Sequence, residues 1–210
     1  MTALLENLYS LGNRLCLDFA NLGMTSGETL EQPPTWDELT EFLAVKQIIS
    51  VEKKDMLRRL PESDVHTAEA LLRHTAELNA ALKRSFRAML RGYRVAQEWA
   101  EPINRILRVT EGHDELLWDG TMWRLGFVGR EESLDWLLAA VARSGAELIA
   151  EGAAEKLRQC GNPQCHLLFY DRSRTHRRRW CSMALCGNRS KVAAFARRQS
   201  GGERARAQHA

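Results

Sequence analysis

Cys160-Gly-Asn-Pro-Gln-Cys165 and Cys181-Ser-Met-Ala-Leu-Cys186 are two cysteine pairs of identical spacing, with four residues inside each pair and fifteen between them. Four of the five cysteines in the 210-residue chain are found here, within its last fifty-one residues. Gly161, Asn162 and Pro163 are turn-forming residues, and Gly187-Asn188-Arg189 follows the second pair. Two tightly turned pairs that converge are what a tetrahedral thiolate site requires, with zinc–sulfur distances of about 2.3 Å. Four sulfurs fill the coordination sphere, which makes the site structural rather than catalytic. The alternative is four free or disulfide-bonded cysteines that only look paired. His166 and His176 stand close by, but with four cysteines available they read as surface residues.

The flanking sequence extends the pattern into a module. Leu167–Tyr170 and Arg177–Trp180 read as two short strands joined by residues 171–176, and a helix is expected from Ser190 to about Gln199. Knuckle, hairpin, second cysteine pair and helix is a treble-clef-like order. Four thiolates on Zn²⁺ carry a net charge of −2, which backbone N–H groups and a helix N-terminus can stabilise. A segment this small has little core, so the metal supplies much of its folding free energy.

Charge divides the chain at the same place. Residues 151–210 hold thirteen Lys or Arg against four Asp or Glu, a net of +9, whereas residues 1–150 have a net of −6. Arg172, Arg174, Arg177, Arg178 and Arg179 fall on the expected hairpin and its loop, and Arg189, Lys191, Arg197 and Arg198 on or beside the expected helix. Nine cations in about forty residues fit phosphate contacts that release counterions, and a helix of this size suits a major groove. The competing reading is a solvated charged face that screens the thiolates. Trp180, beside Cys181, reads as a wedge in the small core.

The first 150 residues read as mainly helical. Leu15–Leu22 is a short, mostly buried helix or extended segment, and residues 23–34 form a loop. Thr35 with Glu38 forms a capping box that opens a helix to about Lys46, and Ser50 caps a second helix ending before Pro61. From Asp64 to Ala96, Leu71, Leu78, Leu82, Phe86, Met89 and Tyr93 recur at helical spacing. Pro102 suits the first turn of a helix running to about Thr110. Asp119-Gly120 between apolar runs signals a hairpin that includes Trp118 and Trp123. A last helix is expected from Ser133 to Ala150. Cys16, between two leucines, is a small core hydrophobe. Arg14, Asp18 and Asn21 lie one helical turn apart and offer either an effector site or internal bonds that fix the first helix; local hydrogen bonding favours the latter.

Trp180-Cys-Ser-Met-Ala-Leu-Cys-Gly-Asn-Arg189, preceded by the Cys160–Cys165 pair and by Phe169-x-Asp171-x-Ser173, resembles the CGNR zinc-finger family. Leu15-Cys-Leu-Asp-Phe-Ala-Asn21 resembles the start of the ABATE domain that precedes such fingers. The resemblance implies zinc on Cys160, Cys165, Cys181 and Cys186, and a bacterial transcription regulator, stress-related, whose finger binds DNA. The expected organisation is a helical ABATE-like domain over 1–151, the finger over 152–200 and a disordered tail over 201–210.

No eighteen-residue apolar run is present and the N-terminus lacks the features of a signal peptide, so the expected location is the cytoplasm, without a membrane. The leading expectation is a zinc-dependent regulator of duplex DNA, with a helical domain that senses a small molecule or associates into a homodimer. A second class is a structural zinc module that docks RNA or acidic protein. A third, an enzyme in the helical domain, finds no nucleophile elbow, phosphate loop or dinucleotide fingerprint to support it, and no catalytic residue is assigned. His113-Asp114-Glu115 resembles an acid/base cluster only superficially.

Overall fold

The computed structural model describes residues 9–24, 32–118, 121–129 and 134–193. The Asp119-Gly120 turn, Arg197, Arg198 and the 201–210 tail lie outside the described residues. The fold is mainly helical, with two small antiparallel hairpins.

At its centre is α1, Leu15–Ala20, a helix of six residues. So short a helix is not stable alone, and its surroundings hold it. Cys16, Leu17, Phe19 and Ala20 are fully buried, and Asp18 Oδ1 accepts the Gly12 N–H at 2.7 Å. It packs against α4 (Val65–Leu90), α6 (Ala139–Glu151) and α2 (Trp36–Val45); α3 (Val51–Ser63) lies against α2 and α4, and α5 (Gln97–Val109) against α4 and α6.

The caps follow the sequence. Thr35 and Glu38 form the reciprocal capping box of α2, and the Ser50 side chain accepts from the Lys53 N–H at the start of α3. Three expectations about helix extent are corrected. The helix α3 runs through Pro61 instead of stopping before it. Proline lacks the N–H that would bond the Leu57 carbonyl four residues back, and the Trp36 indole N–H donates to that carbonyl at 3.1 Å instead. The long helix α4 ends at Leu90, before Tyr93, because Gly92 turns the chain at φ +75° and leaves Tyr93 exposed. Pro102 is the sixth residue of α5, not part of its first turn; Ile103 and Ile106 beyond it are buried.

The first hairpin pairs β1 (Gly112–Trp118) with β2 (Trp123–Gly129), in register from Gly112 opposite Gly129 to Trp118 opposite Trp123. Trp123 lies in the hairpin as expected and is 63% exposed, beside exposed Leu116 and Leu125. The single helix expected over 133–150 divides into a 3₁₀ turn, Leu134–Leu138, followed by α6. Gly145 lets α6 approach α4 closely, since a Cβ there would fall 2.4 Å from Leu82 Cδ2. Gly152, at φ +62°, ends α6 in the left-handed conformation that favours glycine.

The second hairpin differs from the expected one. β3 is Leu157–Gln159, before the first cysteine, and it pairs with β4, Leu168–Tyr170. Residues 177–180 form no strand. Their backbone is engaged differently: Asp171 gathers the 171–178 segment, and the Arg179 carbonyl accepts the Gly161 N–H at 2.9 Å. Leu157, Leu168 and Tyr170 join the same core as Phe19, Phe42, Phe86 and Leu148, so this hairpin is packed into the helical body.

Candidate metal centre and basic face

Each cysteine pair is shaped by local hydrogen bonds. The Cys160 N–H donates to the Leu167 carbonyl at 2.9 Å, closing the ladder of β3 and β4 around the first pair. Within the knuckle, Asn162 accepts twice: its side-chain oxygen from the Gln164 N–H at 3.1 Å and its carbonyl from the Cys165 N–H at 2.8 Å. After β4, the fully buried Asp171 carboxylate accepts from the Ser173 N–H at 2.9 Å and the Arg178 N–H at 2.7 Å. This closes residues 172–177 into a loop and brings Cys181 back onto the knuckle, with its N–H 3.5 Å from Cys160 Sγ.

The second cysteine pair opens a helix rather than preceding one. Ser182 caps a π-helical turn, Met183–Gly187, that contains Cys186 and continues as α-helix over 188–193. The expected helix start at Ser190 is therefore too late. The wide turn is fixed by the Ser182 carbonyl, which accepts from the N–H groups of Cys186 and Gly187 at 3.0 Å each.

All four sulfurs lie within 4.8 Å of one another and all four residues are buried. Cys165 Sγ is 3.8 Å from Cys181 Sγ, and Cys181 Sγ is 3.6 Å from Cys186 Sγ. A disulfide needs about 2.05 Å, so these are free thiols. Sulfurs 2.3 Å from a tetrahedral zinc stand about 3.8 Å apart, close to these two separations. Without a cation the thiols compete for protons. Hydrogen bonds from Cys165 and Cys181 hold the Cys160 thiol well below its ordinary value, while the closeness of Cys160 pushes Cys165 and Cys181 up. Four thiolates at this spacing call for a cation among them, and the site is suited to zinc. His166 and His176 are outside the cluster; the His176 ring nitrogen Nδ1 lies 3.0 Å from the Asp171 carbonyl.

The arginines divide by where their side chains go. Arg178 turns inward: its guanidinium lies 4.9 Å over the Phe169 ring and donates to the carbonyls of Trp180, at 2.8 Å, and Cys181. Arg172 donates to the Asn13 carbonyl. Arg174, Arg177, Arg179, Arg189 and Lys191 are exposed. Arg179 stacks 4.8 Å above the Trp180 ring, and Trp180 packs against the cysteine cluster as the small-core wedge.

Arg14, Asp18 and Asn21 are each engaged in internal bonds. Arg14 makes a forked bond to Glu151, at 3.0 and 2.7 Å, and lies 4.4 Å over the Tyr170 ring. Asp18 pairs with Lys46 at 2.6 Å. Burial raises the Asp18 carboxyl above its ordinary value, and Lys46 opposes the rise. Asn21 spans both backbone groups of Leu168, donating to its carbonyl and accepting from its N–H at 2.9 Å each. Asn13 donates to the Tyr170 carbonyl at 3.1 Å, and the Tyr170 N–H donates to the Gly12 carbonyl at 2.8 Å. The outer edge of β4 is thus covered by the two ends of α1. Sequence reasoning missed Asn13, Lys46 and Glu151 in these roles. Their partners are 28 to 157 positions away, so no local spacing marks them. Cys16 is fully buried, which pushes its thiol up to about 11. His113 and Glu115 are exposed on β1 and 3.4 Å apart.

A helical body that carries a four-cysteine zinc finger at its C-terminal end defines the class of this protein. Two family models match in that order: one described as "Putative stress-induced transcription regulator", ABATE, over residues 13–152, and the CGNR zinc finger over residues 156–199. The chain belongs to the ABATE family, with a CGNR zinc finger following the ABATE domain. No curated protein matches it. Among the described residues, no helix is long and apolar enough to cross a membrane.

Proposed function

We propose that this protein is a zinc-dependent, DNA-binding transcription regulator whose finger binds duplex DNA. The observation that carries the reading is the group of exposed cations, Arg174, Arg177, Arg179, Arg189 and Lys191, on a finger whose frame is set by the four clustered thiols. A cationic surface on a metal-fixed frame presents its charges at fixed spacing, which is how phosphate contacts position a protein on a duplex. The family description, of a regulator, supports the same reading. The helical body is the sensing part: a small molecule that favours one position of α1 would act on the finger through the Asn21 and Asn13 bonds to β4. The division proposed is a helical domain over 1–151 and a finger over 152–200, supported by the end of α6 at Gly152.

Fluorescence anisotropy with a labelled duplex tests this directly. Zinc-loaded protein should bind, with affinity falling linearly against the logarithm of salt. Chelation of the metal should abolish binding. Unchanged duplex affinity after verified metal loss overturns the reading.

A further inference from the structure

Beside the cysteine cluster a half-open groove of about 560 Å³ runs between the knuckle and the helical segment that follows Cys186. Its lining includes Gly161 and Gln164 of the knuckle, Arg179 and Trp180, and Arg189 and Lys191 of the helical segment. We propose that this groove holds the sugar–phosphate backbone of one DNA strand, and that Arg179, Arg189 and Lys191 are its phosphate contacts. The inference rests on the DNA-binding reading and specifies where on the finger the strand lies.

Charge is the first support. The lining holds three cations and no carboxylate. The negative charge of the thiolates behind it is met from within the finger: the Cys181 N–H points at Cys160 Sγ, and Arg178 is held on the Cys181 carbonyl. Arg178 is therefore committed internally, while Arg179, Arg189 and Lys191 remain exposed at the groove.

Donor chemistry is the second. Phosphodiester oxygens only accept hydrogen bonds, and guanidinium groups present donors in a planar fork that matches them. The Arg179 guanidinium is already ordered against the Trp180 ring, so less freedom is lost on binding. Ser190 adds a hydroxyl and Gln164 an amide to the same lining.

The test uses the full zinc-loaded chain and a labelled duplex of mixed sequence, titrated at several salt concentrations. The charge-removing double variant Arg189→Ala/Lys191→Ala should lower the magnitude of the salt slope by about 1.8 and the affinity at 0.1 M salt by about 50-fold, from about 0.9 counterions per phosphate contact. The charge-keeping variant Arg189→Lys/Lys191→Arg should retain most of the slope. Arg91→Ala/Arg94→Ala, on the helical body, should leave both quantities unchanged. Metal content of one zinc per chain in every variant verifies that the finger is folded. If wild type binds the duplex and Arg189→Ala/Lys191→Ala keeps its slope, the groove assignment is overturned while the DNA-binding reading stands. If wild type ignores the duplex and binds an acidic peptide or an RNA strand instead, both fall.

Discussion

Asn21 is the position where the helical body and the finger are most directly joined, so its replacement tests whether they fold as one unit. The side chain bonds both the N–H and the carbonyl of Leu168, at 2.9 Å each, and Leu168 is fully buried. In Asn21→Ala those two backbone groups lose their partners. Each buried polar group left unpaired costs about 1–3 kcal/mol, and because the two are adjacent their penalties overlap, giving about 2–4 kcal/mol together. For a chain of this size each kcal/mol lowers Tm by about 2–4 °C, so a drop of about 5–15 °C is expected. Two probes should be followed in the same thermal scan: far-ultraviolet ellipticity, which reports the helical body, and release of zinc to a chromogenic chelator, which reports the finger. Leu157, Leu168 and Tyr170 share the core of Phe19 and Phe86, so both probes should move together in wild type and in variant. A change below about 0.5 kcal/mol, the range of ordinary surface substitutions, would refute the reasoning, as would a finger transition that shifts while the body's stays in place.

Three further outcomes follow from individual contacts. Trp36→Phe removes the donor that takes the carbonyl freed by Pro61 and should cost about 1–2 kcal/mol; in a Pro61→Ala background, where a main-chain N–H is restored to Leu57, denaturant titration should show most of that cost gone. Alkylation of the native, zinc-loaded chain should find no reactive thiol, because Cys16 is fully buried and the other four are ligands; after chelation the four ligand thiols should react, as counted by intact mass. Asp171 gives a pH effect. Burial opposes its charge, but the Ser173 side chain and N–H and the Arg178 N–H outweigh it and hold the carboxyl below its usual range. A depressed folded-state pKa stabilises the fold above the ordinary carboxylate value, near pH 4, and that stability is lost as pH falls through the depressed value. The gap in stability between wild type and Asp171→Asn should therefore narrow on acidification; comparing the two cancels protonation of the cysteines, and a constant gap would count against the assignment.

What was legible in the sequence, and what was not, follows the range of the interactions. The caps at Thr35 and Ser50 and the cysteine pairs are local, each readable within about six residues, and the structure reproduces them. Errors arose where a distant partner altered a local preference. Pro61 ends a helix in isolation, but the Trp36 indole, twenty-five positions earlier, supplies what proline lacks. Leu167–Tyr170 has the look of a strand that should pair forward across a polar loop; it pairs backward because Asp171 ties that loop to itself and leaves 177–180 without ladder bonds. The same limit governs the site. A count of arginines cannot separate Arg178, which supports the finger from inside, from Arg179 one residue later, which stands on its surface. Arg14, Asp18 and Asn21 offered two readings; the Asn21 bonds run to the β4 edge, almost 150 positions away, where no local spacing could mark them. A strand with an open edge needs partners for its buried N–H and carbonyl groups, and Gly12, Asn13 and Asn21 provide them. The short motif around α1 and the cysteine motif 140 positions later are thus parts of one structural requirement: the finger's inner strand is completed by the first helix of the body.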